Sequence, residues 1–133
     1  MPRANGPFEV TLKPLPMEGD ADPQLLGRMS LDKVYHGDLE AVGKGQMLTG
    51  GTAIRNSAAY VAIERITGTL KGRKGSFIIQ HAGLMNRGSP SLAIMIVPDS
   101  GTDQLEGLKG SMTINIEAGK HSYQLDYTLA DRG

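Results

Sequence analysis

Apolar and polar residues alternate along most of this chain with a period of two, the pattern of strands that bury one face. Phe8-Glu9-Val10-Thr11-Leu12-Lys13 is the first such run, and Pro14 and Pro16 are expected to end it. A polar connection follows over residues 17–23. A second strand is expected over residues 28–35, with Met29, Leu31 and Tyr35 on one face beside Lys33. His36-Gly37-Asp38 then begins a turn, and residues 43–49 make a third strand. Residues 57–67 and 76–84 are rich in Val, Ile, Tyr, Phe and Thr, the types that suit a pleated surface. Met85 to Pro90 reads as a loop, and the apolar run over residues 92–97 as a buried strand. Met112, Ile114 and Ile116 alternate with polar residues, as do Tyr123, Leu125, Tyr127 and Leu129 after Gly119-Lys120. Eight strands are predicted, with no helical period.

The stretch ERITGTLKGRKGSFIIQH, residues 64–81, organises the rest. With Gly72-Arg73 as a two-residue type II′ loop, Lys71 pairs with Lys74, Ile66 with Ile79, and Glu64 with His81. Directly opposed side chains lie about 4.5–5.5 Å apart at Cβ. A one-residue slip would send the two to opposite faces. An internal repeat supports a regular meander. Leu70-Lys71-Gly72-Arg73-Lys74-Gly75-Ser76 is echoed by Leu105-Glu106-Gly107-Leu108-Lys109-Gly110-Ser111, and more weakly by the run from Leu39 to Gly45. In an up-and-down arrangement those three units fall at one end. The expected fold is all-β, a single eight-stranded antiparallel up-and-down barrel over residues 1–133, with space inside for one small ligand. A flattened sandwich is the alternative.

Composition narrows the function classes. The chain has 133 residues, enough for one cored domain and too few for two. Its formal net charge is zero, so it lacks the basic footprint of a nucleic-acid binder. No apolar run reaches the roughly 18 residues of a membrane span. MPRANGPFEV carries no apolar signal-peptide segment, and a cytoplasmic protein is expected. The absence of cysteine excludes disulfides, thiolate metal sites and cysteine nucleophiles. Three histidines far apart give no zinc spacing, so neither metal nor cofactor is expected. Eighteen glycines fit a fold with many turns.

The Gly37-Asp38-Leu39 turn, the 64–81 stretch and VPDSGTDQLEGLKG also resemble a bacterial family of unknown function. Glu64, Gly68, Leu70, Gly72, Gly75, Phe77, Gln80, His81 and Gly83 match its pattern, as do Ser100, Gly101, Thr102, Leu105, Gly107 and Gly110. The resemblance runs from about Met29 to Leu129. It implies an allene-oxide-cyclase-like barrel and a homo-oligomer, with no established activity. The wider barrel group includes cofactor-free cyclases, a likeness of fold only.

Glu64 and His81 are the candidate catalytic pair. Both have apolar same-face neighbours, where an acid and an imidazole are costly unless paired. Such a pair could move a proton in an isomerase or cyclase, with Glu64 as base and His81 orienting it. Tyr60, Gln46, Phe77 and Ile79 are the candidate ligand contacts. The competing reading is a structural salt bridge, with the equally apolar face of Val61, Ile63, Ile78 and Ala82 lining the core. His36 and His121 are expected in exposed turns, and Tyr123 and Tyr127 in the core. Three functions follow: a cofactor-free isomerase or cyclase, a non-catalytic barrel for a small hydrophobic ligand, or a structural oligomer.

Overall fold

The structure is a computed structural model that describes residues 2–17, 19 and 25–130. The strands are β1 (Arg3–Leu15), β2 (Leu26–Tyr35), β3 (Leu39–Gly51), β4 (Ala58–Leu70), β5 (Arg73–Asn86), β6 (Ser89–Ile96), β7 (Lys109–Glu117) and β8 (Lys120–Thr128). Each pairs antiparallel with its sequence neighbour, and β1 returns to pair with β8. The result is a closed eight-stranded barrel. A single short 3-10 turn, η1 (Asp103–Leu105), interrupts the β6–β7 connection. Among the described residues no helix is long and apolar enough to cross a membrane. Of the expected polar connection, residues 18 and 20–23 lie outside the described residues.

Most strands outrun their expected bounds, and the reason is turn chemistry. Lys71-Gly72, Arg87-Gly88 and Ala118-Gly119 each have positive φ at both residues. Each joins two directly paired strand ends, so all three are two-residue loops of the type I′ sort. The central hairpin therefore turns on Lys71-Gly72, with Leu70 opposite Arg73, and not on Gly72-Arg73. The expected loop from Met85 to Pro90 shrinks to two residues, because Gly88 can take the left-handed backbone that the turn demands. Pro14 does not end β1 either. β1 pairs with β8 over residues 3–8 and with β2 over 8–15, so Pro7 and Pro14 sit where one side of the strand carries no ladder. A missing N–H is tolerated there.

One end of the barrel is packed shut. The leading leucines of the three repeat units, Leu39, Leu70 and Leu105, are all buried there. Leu39 pairs directly with Leu70, and Leu105 lies against Gly75. Phe8, Tyr35, Ile66, Phe77, Ile79 and Leu125 fill the interior above them. Tyr123 ties the packing to the chain by donating to the His36 carbonyl at 2.8 Å and accepting from the Leu39 N–H at 2.8 Å. The expected buried run over 92–97 proves two-faced: Ile94 and Ile96 point inward, whereas Ala93 and Met95 are exposed.

Candidate functional site

The face of β4 and β5 that carries Glu64 and His81 is the inner one. Glu64 is fully buried and His81 is 3% exposed, while Val61, Ile63 and Ala82 lie outside. The I′ turn moves the register by two residues from the expected one. Glu64 thus opposes Ile79, and His81 opposes Ala62. A shift of two keeps both residues on the same face. They meet diagonally, with His81 Nε2 3.1 Å from Glu64 Oε1.

Two further groups complete the cluster. Lys33 Nζ lies 3.0 Å from the same Oε1, and the Tyr35 hydroxyl donates to Oε2 at 2.5 Å. Lys33 is 5% exposed, and its ammonium also sits over the rings of Phe8 and Tyr35, at 5.1 and 5.7 Å from their centroids. Cation–π attraction of this kind partly replaces lost hydration. β2 delivers both groups because its inward positions alternate as 29, 31, 33 and 35. Their alternation with Met29 and Leu31 was the available signal, since a lysine in that register must point inward.

Glycine makes room for the carboxylate. A Cβ on Gly43 would come within 1.9 Å of Glu64 Oε2, and one on Gly45 within 1.9 Å of the Ile63 carbonyl. Burial alone would push the Glu64 carboxyl up. The His81 hydrogen bond, the Lys33 charge and the Tyr35 hydrogen bond outweigh it and hold the group below its usual range. Glu64 is then an anion that can only accept, so His81 must donate through Nε2, leaving Nδ1 as its second face. Burial and the nearby Glu64 anion both raise the Tyr35 phenol, which stays a neutral donor.

Above this cluster the barrel is open. A cavity of about 580 Å³ lies between the ends of β2 to β6, lined by Leu26, Met47, Ala58, Tyr60, Met85 and Leu92 among others. Among the described residues no charged side chain lines it. The Tyr60 ring packs across Gly83, where a Cβ would meet it at 2.4 Å. Its centroid lies 6.4 Å from that of His81. Tyr60 thus stands between the cavity and the charged cluster, and burial followed by the charge of Glu64 raises its phenol.

The other expected contacts fare differently. Phe77 and Ile79 are packed in the core below the cavity and do not line it. Gln46 is exposed on the outer wall, because its β3 neighbours Gly45 and Met47 hold the inward register. His36 is exposed between Glu9 and Glu40, at 3.8 and 3.7 Å. His121 is not in a loop: it lies in β8, half-buried with its ring edge-on to Phe8 at 5.2 Å. Among the described residues no three His, Cys, Asp or Glu side chains gather as a metal site.

A model of the family described as "Protein of unknown function (DUF3224)" matches residues 4–127. A crystal structure from Shewanella oneidensis MR-1, titled as a protein with unknown function from that family, is 42% identical. Its TM-score is 0.91 over 98% of this chain and 99% of that one. No curated protein matches. The chain belongs to the DUF3224 family.

Proposed function

We propose that this DUF3224 barrel binds a small, neutral, apolar molecule in its open half. The observation that carries the reading is a cavity of about 580 Å³ with no charged side chain on its walls among the described residues. That size falls in the range of small-molecule sites, and a charged ligand would lose hydration there without gaining a partner. The Lys33–Glu64–His81–Tyr35 cluster is complete in itself and serves as a fixed polar floor. Uptake of a neutral solvatochromic dye such as Nile red tests the idea. The wild-type chain should shift the dye's emission, and Ala58→Phe, which fills the cavity from β4, should abolish the shift while keeping the circular dichroism spectrum. No uptake by the wild type, and no compound retained in native mass spectrometry, would end it.

A second reading, a cofactor-free isomerase or cyclase, is favoured by the line Tyr60–His81–Glu64 leading down from the cavity. A closed barrel with one open end also supports kinship with the allene-oxide-cyclase-like barrels. In this reading Glu64 is too enclosed to act as the base. It orients His81 and stabilises the imidazolium, and His81 Nδ1 takes the proton. Tyr60 would hold a carbonyl oxygen. His81→Gln should then remove turnover of a bound compound and leave its binding intact; unchanged turnover would leave only the binding role.

A further inference from the structure

We propose that the molecule held in the open half of the barrel carries an uncharged oxygen acceptor, a ketone, aldehyde or ester carbonyl, and seats it on the Tyr60 hydroxyl. The inference rests on the binding role given above and adds the chemistry that the site selects. Among the described residues three hydroxyl side chains line the cavity, Thr49, Tyr60 and Ser91. Ser91 is exposed, at an outward position of β6. Thr49 turns its Oγ1 towards β2, where a Cβ on Gly27 would meet it at 2.7 Å. Tyr60 turns the other way, its ring lying across Gly83 on β5 so closely that a Cβ there would come within 2.4 Å. That packing fixes the phenol without any hydrogen bond. Among the described residues its hydroxyl has no hydrogen-bond partner, and it is the polar group that stands nearest the His81 ring.

Three classes of occupant meet this hydroxyl differently. A hydrocarbon filling the cavity would strip water from the phenol and leave its donor unmet, which is costly in an apolar setting. A carboxylate would find no free cation. Lys33 is engaged 3.0 Å from Glu64, and His81 is bonded to the same oxygen at 3.1 Å. The Glu64 charge would repel a second anion brought to the floor of the cavity. Burial and that same charge raise the Tyr60 phenol, so it stays a neutral donor. A carbonyl oxygen accepts from it and adds no charge. The walls above, with Met47, Ala58, Met85 and Leu92, offer only apolar contact to the rest of the molecule. The occupant therefore lies with its oxygen inward and its hydrocarbon part towards the mouth.

Equilibrium dialysis of the full chain against shape-matched probes tests this: 2-acetylnaphthalene, 2-ethylnaphthalene and 2-naphthoate. Tyr60→Phe removes the donor and keeps the ring on Gly83, so the fold is retained. It should raise the dissociation constant of 2-acetylnaphthalene about five- to tenfold and leave that of 2-ethylnaphthalene within about twofold. The wild type should hold 2-naphthoate at least about tenfold more weakly than the ketone. Equal changes for ketone and hydrocarbon, or no change for either, overturn the proposal, as does 2-naphthoate bound as tightly as the ketone. In each of those cases binding of 2-ethylnaphthalene by the wild type leaves the cavity reading standing. Failure of all three probes to bind also overturns the proposal, and the Nile red result then decides whether the cavity reading falls with it.

Discussion

Glu64 is held by three donors, and the strength of that arrangement lies in its completeness. Glu64→Gln leaves the Lys33 ammonium buried without a counter-charge, a loss of about 3–5 kcal/mol. Lys33→Met strands the carboxylate at a similar cost. The two together should cost clearly less than their sum, with a coupling of about 1–3 kcal/mol in urea titrations. Additive costs would show that the pair does not interact. Gly43→Ala should cost about 1–3 kcal/mol, because its methyl group displaces Glu64 Oε2 from the Tyr35 hydroxyl. The Glu64 carboxyl sits below its ordinary value of 4.5 in the folded chain, so the unfolded chain takes up the proton first as acid is added. Its contribution is intact above 4.5 and disappears as pH falls from there through the folded-state value. Thermal melts should therefore show an acid limb that Glu64→Gln flattens. Glu64 and His81 were legible in the sequence because they interrupt an apolar alternation. Lys33 was visible on the right face but had no partner, since nothing local says that its side chain reaches past β3 to Glu64 on β4.

At the scale of the hairpin, the glycines announced a turn and left its type open. Gly72 could serve as the first central residue of one turn type or the second of the other. The structure settles on the second, with Lys71 at φ 46° and Gly72 at φ 84°. Lysine is a poor occupant of a left-handed position, and asparagine is a good one. Lys71→Asn should stabilise the chain by roughly 0.4–1 kcal/mol, read as a higher melting temperature. A lower one would argue against the I′ assignment. The same ambiguity explains the misjudged pairing of Glu64. Its face survived because the two candidate registers differ by two residues, and a difference of one would have turned it outward.

The barrel's seams are unequal. β4 and β5 pair over thirteen positions, from Ala58–Met85 to Leu70–Arg73. β6 and β7 share only Ile94–Met112 and Met95–Ser111. Amide exchange should be fastest, among the strands, for β6 and β7 groups facing that seam, and slowest in the centre of β4 and β5. Uniform protection around the barrel would contradict this. Alternation and turn residues made eight strands and their sequential order readable. The extent of each seam was not, because it depends on where the connection through η1 enters β7.

The junction of β1 with β8, where Arg3 faces Asp126 2.7 Å away, also fixes an order of events. Of the eight barrel strands, β1 comes first in the sequence and yet pairs with β8, which comes last. While synthesis continues, Ala4 and its flanking backbone wait without that partner, and the cylinder can be completed only after β8 emerges. Contacts of such long sequence separation make for slow folding. An interrupted translation product lacking residues 120–128 would thus be an open, sticky sheet rather than a smaller version of the finished molecule.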